Sequence, residues 1–211
     1  LIHNCVGKKK LELLAQQRDM FVVGCSKNDI KKDIADKIFD QINYFGGYGF
    51  NKCLSGDTLV LNKLDNFYYS LKDLCDYGFG SKYKKPIILD SCVDGSVVDD
   101  EVVEVFETGE QEVYKVSLFG GMIIKCTMDH KFCCSDYKKH TLKDIVENKL
   151  FILSHSLKSC VAICSVEKIG MQMTYNVTMK SDQHNYKIVD KEGNGVYSSN
   201  SHSAAYSLLA Y

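Results

Sequence analysis

Two distant stretches of this chain read as one. Residues 46–52, Gly-Gly-Tyr-Gly-Phe-Asn-Lys, break off at Cys53, where a different texture begins with Cys-Leu-Ser-Gly-Asp-Thr-Leu-Val. After Ser199-Asn200 the first texture returns as Ser-His-Ser-Ala-Ala-Tyr-Ser-Leu-Leu-Ala-Tyr, Ser201 to Tyr211. Joining Lys52 to Ser201 restores a continuous run, so Cys53–Asn200 reads as a 148-residue insert in a host sequence of 63. This limits the folds open to the chain. The insert is long enough for one buried core, and its first and last residues are expected side by side; the 63 flanking residues need help to fold alone. The expected divisions are 1–52, 53–200 and 201–211.

Charge divides at the same borders. Residues 1–52 carry nine Lys/Arg against six Asp/Glu, whereas the insert carries seventeen against twenty-one, within an overall net charge of −1. Two origins explain this better than one nucleic-acid-binding surface, which needs a concentrated basic face. Ten cysteines would imply disulfides in a secreted chain, but none of their spacings is C-x-x-C, and the sequence shows neither a signal peptide nor an 18-residue apolar run. A reduced, cytoplasmic setting away from membranes is expected.

The flanks read as helical. Leu11, Leu14, Arg18 and Phe21 fall near helical spacing, and Asn28-Asp29 reads as a start for a second helix. There Ile30, Ile34, Ile38 and Ile42 form one apolar stripe, with Gly46-Gly47 as the stop. A further helix is read over Ala204–Ala210. Lys8-Lys9-Lys10 is read as a solvated charge run, with nucleic-acid contact as the alternative.

The insert reads as short strands: Thr58–Leu61, Ile87–Leu89, Val102–Phe106, Glu112–Leu118, Met122–Cys126, Val161–Cys164, Tyr175–Met179 and Asn185–Val189. Asp94-Gly95, Gly120-Gly121 and Glu192–Gly195 separate them as turns, and two short helices are read near Ser70–Tyr77 and Leu142–Lys149. No P-loop or dinucleotide fingerprint is present. The fold class is mostly β and compact.

The chemistry sits at the borders. A thiol one residue after a carbonyl can attack it through a five-membered ring, and a well-placed intramolecular neighbour reaches effective molarities on the order of 10⁵ M; Cys53 stands at that position. Thr127-Met-Asp129-His130 follows a strand, where Thr127 and His130 can converge on one site and the imidazole can serve as general acid or base. A metal reading of Cys126, His130, Cys133 and Cys134 lacks a second ligand pair. Asn200 can close its side-chain nitrogen on its own carbonyl and cleave before Ser201, helped by a donor such as His184. Ser201 supplies a hydroxyl that can accept an acyl group. Cys5 and Cys25 share the chain with Cys53, and a disulfide to Cys53 would hold it inactive until reduced.

The flanks resemble the bacterial DNA polymerase III alpha subunit, through Gly-Lys-Lys-Lys, Ile-Phe-Asp-Gln-Ile and Phe-Gly-Gly-Tyr-Gly-Phe-Asn-Lys, continued by Ser-His-Ser-Ala-Ala-Tyr. Nothing like that family's carboxylate-rich metal site lies in them, so no polymerase activity is expected. The insert resembles the mini-inteins, through Cys53-Leu-Ser-Gly-Asp-Thr, Gly109-Glu-Gln-Glu-Val-Tyr, Thr127-Met-Asp-His-Lys-Phe, Leu142-Lys-Asp-Ile, Asp182-Gln-His-Asn-Tyr and Gly195-Val-Tyr-Ser-Ser-Asn. The resemblance implies the horseshoe-shaped Hedgehog–intein β fold and autocatalytic protein splicing: excision of Cys53–Asn200 and ligation of Lys52 to Ser201, each molecule reacting once. It makes Cys53 the first nucleophile, Thr127 and His130 the activators of the upstream junction, His184 the helper of Asn200, and Ser201 the second nucleophile. Asp129, Asn176 and Ser199 are supporting positions. Two depart from the family pattern: Ser199 stands where many inteins have histidine, and Asn176 where many have aspartate. No cofactor, metal or partner is implied for splicing; the polymerase holoenzyme and DNA belong to the full-length spliced product. The alternative is an inert or cleavage-only intein-like domain.

Overall fold

The computed structural model describes residues 18–48, 53–154 and 159–199. They fall into two units, one helical and one built of strands. No helix among the described residues is long and apolar enough to cross a membrane.

In the helical unit α1 (Arg18–Ser26) packs on α2 (Lys32–Tyr48). Phe21 and Phe39 meet at 5.4 Å between ring centroids, and Arg18 bonds Asp36 at 3.1 Å and Asp40 at 2.8 Å. The buried face of α2 is Ala35 and Phe39, whereas Ile34 and Ile38 of the expected stripe are exposed. The reason is local: α1 presents a phenylalanine, and the ring-to-ring contact rotates the buried face by one residue. The helix also runs through Gly46-Gly47 to Tyr48 rather than stopping there. Glycine costs about 1 kcal/mol in a helix interior but, unlike proline, leaves the backbone bonds intact. Residues 8–17 and the helix read over 204–210 lie outside the described residues.

The strand unit runs β1 (Leu54–Ser55), β2 (Leu59–Asn62), β3 (Phe67–Ser70), α3 (Leu71–Asp76) and a 3₁₀ turn at Ser81–Tyr83. Then come β4 (Ile88–Val93), β5 (Ser96–Leu118), β6 (Ile123–Cys126), β7 (Lys131–Cys133), β8 (Lys139–Thr141) and α4 (Leu142–Asn148). Last are β9 (Ile152–Leu153), β10 (Cys160–Val161), β11 (Ile163–Met179), β12 (Asn185–Val189) and β13 (Gly195–Ser199). One sheet has the order β11-β1-β6-β5-β4, with β11 also paired to β5; a second has the order β3-β2-β12-β13-β7-β8; β9 and β10 pair separately.

Two expected strands, 102–106 and 112–118, are one strand of 23 residues; 175–179 is the end of the 17-residue β11, and 161–164 is split between β10 and β11. Bulges make this possible. An extra residue in one strand of a pair bends it without ending it, and the β5–β11 register slips between Thr174 and Tyr175, where Thr108 is the unmatched residue of β5. The next residue, Gly109, takes φ +88°, which glycine adopts without a Cβ clash. At Asp94-Gly95 both residues have positive φ and join β4 to β5 as the expected two-residue turn.

Both short helices begin at the expected places, for a visible reason. Ser70 accepts a bond from the Asp73 amide at 3.0 Å, and Thr141 accepts one from the Asp144 amide at 3.1 Å while Asp144 reaches back to the Thr141 backbone. These are side-chain caps, worth about 1 kcal/mol each. The main core joins the sheets through Leu54, Val60, Val116, Phe132, Tyr186 and Val196, with Cys92, Cys133, Leu153 and Tyr197 as a smaller cluster.

Candidate active site

Cys53 stands at the entry of β1, between two strands. Leu54 pairs with Tyr175 of β11 on one side and Cys126 of β6 on the other. Cys53 is therefore next along from Asn176 on the first side and from Thr127 on the second. Its backbone is held from both directions by one residue: the Cys53 amide donates to Thr127 Oγ1 at 3.2 Å, and the Thr127 amide donates to the Cys53 carbonyl at 3.0 Å. Its sulfur lies 3.0 Å from Thr108 Oγ1. The Thr108 hydroxyl lies 2.8 Å from that of Thr174, which donates to the Gly109 carbonyl at 2.8 Å. Cys53, Thr108, Thr127 and Thr174 are buried, Cys53 and Thr174 completely.

Thr127 opens a tight turn closed by the His130 amide bonding the Thr127 carbonyl at 3.0 Å. Asp129 is exposed on this turn. His130 is buried; its Nε2 lies 2.8 Å from Ser198 Oγ, and its ring meets Phe132 edge-on at 4.9 Å. Ser198 belongs to β13, where it pairs with Phe132 on one side and Tyr186 on the other. Ser199, the last residue of β13, pairs with Lys131 and Asn185 and donates from Oγ to the His184 carbonyl at 3.1 Å. His184 is half-buried, with φ +47°, at the entry of β12.

Cys53 and β13 thus reach one turn: Cys53 through Thr127, and β13 through the contact of Ser198 with His130, three residues along. Lys52, Asn200 and Ser201 lie outside the described residues; Asn200 is covalently next to Ser199. Asn176 is buried beside the entry of Cys53, and its side-chain oxygen accepts from the Val177 amide at 2.9 Å.

The surroundings are dry. Burial pushes the Tyr186 phenol far above its ordinary range, with Ser198 opposing the effect and Cys53 adding to it. Burial also drives the Cys133 and Cys134 thiols up to about 12, and Cys126 higher still, so these remain protonated hydrophobes. Among the described residues no group of three His, Cys, Asp or Glu is placed to hold a metal ion, so Cys126, His130, Cys133 and Cys134 form no such set. Cys25 is a free thiol, and Cys5 lies outside the described residues.

Four neighbours of these groups carried no sequence signal of their own: Thr108, Thr174, Tyr186 and Ser198. For Thr108 a hint existed, since a glycine inside an apolar-alternating run marks a bulge and re-aims the residue beside it.

This arrangement of a long bulged β ribbon, a cysteine at the first strand and a last strand returning beside it is the intein fold. The DnaB intein of Synechocystis sp. PCC 6803 superposes with a TM-score of 0.58 at 23% identity, over 71% of this chain and 99% of that one. The DnaX mini-intein of Spirulina platensis gives 0.53 at 21% identity over 70% and 99%, and the gp41-1 intein 0.53 at 14% over 70% and 98%. No family model matches the chain. Its second likeness is to DNA polymerase III subunit alpha, 48% identical over 52 residues to the proteins of Pseudomonas fluorescens and Escherichia coli K12. That match covers 25% of this chain and 4% of those proteins.

Proposed function

We propose that the chain is a self-splicing precursor, in which Cys53–Asn200 removes itself and Lys52 is joined to Ser201. The observation that supports this best is the shared turn: Thr127 holds the backbone of Cys53 from both sides, and His130 holds the strand that ends one residue before Asn200.

The Cys53 sulfur attacks the Lys52 carbonyl carbon. A C–S bond forms, the C–N bond breaks, and the nitrogen gains the proton the sulfur loses. Thr127 fixes that nitrogen, and His130 is the general acid for it. Ser201 Oγ then attacks the thioester; its proton goes to the departing sulfur. Asn200 closes its side-chain nitrogen on its own carbonyl carbon, losing one proton as the released Ser201 amine gains one, with His184 assisting. That amine takes the acyl group from its own oxygen and leaves a Lys52–Ser201 amide. The spliced product restores a polymerase segment, and holoenzyme and DNA are partners of that product in its full-length form.

Intact-mass analysis after expression tests this. Ligation gives a 148-residue insert and one 63-residue peptide. Three pieces would mean cleavage without ligation, and the full chain alone would mean an inert domain. Cys53→Ala should abolish the thioester, and Asn200→Ala should leave a hydroxylamine-sensitive ester. A 63-residue peptide from Cys53→Ala overturns the mechanism.

A further inference from the structure

The hydroxyl pair behind Cys53 has too few hydrogens for its contacts in one state of the sulfur and enough in the other. Three contacts run in line: Cys53 Sγ to Thr108 Oγ1 at 3.0 Å, Thr108 Oγ1 to Thr174 Oγ1 at 2.8 Å, and Thr174 Oγ1 to the Gly109 carbonyl at 2.8 Å. A carbonyl only accepts, and each hydroxyl has one hydrogen. Thr174 spends its hydrogen on Gly109. If Thr108 donates to the sulfur, nothing is left for the contact between the threonines. The third hydrogen can come only from the thiol: with Cys53 protonated, S–H turns to Thr108, Thr108 to Thr174, and every contact is filled.

We propose that Thr108 is a catalytic residue of the upstream half-reaction: its hydroxyl orients the Cys53 sulfur and reverses to donate to it when the thiol proton leaves, while Thr174 is a positioning residue that competes for the same hydrogen. Sequence explains the placement, since the bulge at Thr108-Gly109 turns the threonine inward from a strand position. This rests on the splicing reading for its purpose but not for its measurement.

The signs follow from the hydrogen count. S–H is a weak donor, so the protonated state gains little from Thr108, whereas a bond to a buried thiolate is charge-assisted and about twice as strong as a neutral one. Removing Thr108 should therefore disfavour the thiolate. Removing Thr174 should favour it, because Thr108 then loses its competing acceptor. Two phenols and one thiol on the surrounding strands stay protonated near neutral pH. Tyr186 on β12 and Cys126 on β6 are driven up by burial, and Tyr175 on β11 is raised to about 12 by burial and by Glu107 on β5. His130, on the turn, faces Ser198.

The test uses the full chain with Asn200→Ala and Ser201→Ala, labelled with ¹³Cβ-cysteine, the Cys53 signal being assigned by its loss in Cys53→Ser. Titration of that signal reads the thiol midpoint directly. Thr108→Val should raise the midpoint, leaving about three- to tenfold less thiolate at a given pH, and Thr108→Ser should restore it. Thr174→Val should lower it by a similar factor. Shifts in the same direction, no shift, or failure of Thr108→Ser to rescue would overturn the assignment. If Thr108→Val does not fold, Thr174→Val decides alone: a midpoint that rises or stays put overturns it. Cleavage at Lys52–Cys53 by a small added thiol, in the same background, reads the thioester separately. Opposed midpoint shifts without such cleavage would sink the splicing reading and with it the catalytic role, leaving only the hold of Thr108 on the sulfur; cleavage without opposed shifts would keep the splicing reading and overturn Thr108.

Discussion

Thr127 and Cys53 exchange two hydrogen bonds, one through the threonine side chain and one through its backbone. The Cys53 amide gives its hydrogen to Thr127 Oγ1 at 3.2 Å, and the Thr127 amide gives its own to the Cys53 carbonyl at 3.0 Å. In the proposed splicing reaction, the side-chain bond engages the nitrogen that leaves in the first step. The two bonds hold the peptide groups on either side of the Cys53 Cα.

Thr127→Val keeps the shape and the backbone bond but removes the acceptor. A hydrogen bond of about 1–1.5 kcal/mol lost at the reacting amide corresponds to about a tenfold slower upstream step. Thiol-induced cleavage at Lys52–Cys53 in an Asn200→Ala background measures it. An unchanged rate would remove Thr127 from the reacting set.

Ser198 links the last strand to His130, with its hydroxyl 2.8 Å from Nε2. Ser198→Ala should slow the upstream step by about three- to tenfold, the cost of one bond to a positioned base, and His130→Ala should cost about a hundredfold or more, as for loss of a general acid. The order matters more than the size. A Ser198→Ala chain slower than His130→Ala would mean that Ser198 acts on its own rather than through the imidazole.

The border residues stand out in the sequence because each has a reaction only at its position, a thiol after a carbonyl and an asparagine before a hydroxyl; of them the described residues include Cys53 alone. Thr127 and His130 were legible through their spacing after a strand. Thr108, Thr174 and Ser198 were not, since hydroxyl residues in strands are ordinary and only the register slip at Gly109 brings the first two together. The β class followed from short apolar runs set between turn residues, and both short helices begin where they are read, although their caps are seen only in the structure. The merging of 102–106 with 112–118 did not follow, because a glycine inside a run reads equally as an end or a bulge. Likewise the isoleucine stripe of α2 misidentified the buried face, which depends on Phe21 of a different helix.

Asn185, beside His184, does more than pair with Ser199. Its side chain accepts from the Cys92 amide at 2.7 Å and from Ser91 Oγ at 3.1 Å, and donates to the Cys92 carbonyl at 2.9 Å, all buried. Asn185→Ala leaves the backbone groups of β4 unsatisfied and should cost about 2–4 kcal/mol. Chemical denaturation of an Asn200→Ala chain reads this, and a loss below about 1 kcal/mol would show that water replaces the amide.

Asp90 gives the insert a pH dependence of known sign. Burial alone would raise its carboxyl, but bonds to Lys187 and Lys63, the latter at 3.0 Å, outweigh that and hold it below the ordinary carboxylate range. A group whose folded value is depressed contributes stability that is present above its unfolded value, near 3.9, and is lost as pH falls through the folded one. Asp90→Asn removes the charge that pairs with Lys187 of β12, the strand His184 introduces. It should destabilise the fold by about 1–2 kcal/mol at pH 7, the range for a charge-assisted bond at a partly exposed site. The gap between parent and variant should stay level down to about pH 5, narrow as pH falls past the unfolded value and close through the folded one, where the carboxyl of the folded parent is protonated as well. Urea midpoints of the two chains between pH 7 and pH 2.5, both carrying Asn200→Ala, measure it. A gap that persists undiminished at pH 2.5 would mean that Asp90 stabilises β12 by packing and hydrogen bonding rather than by its charge.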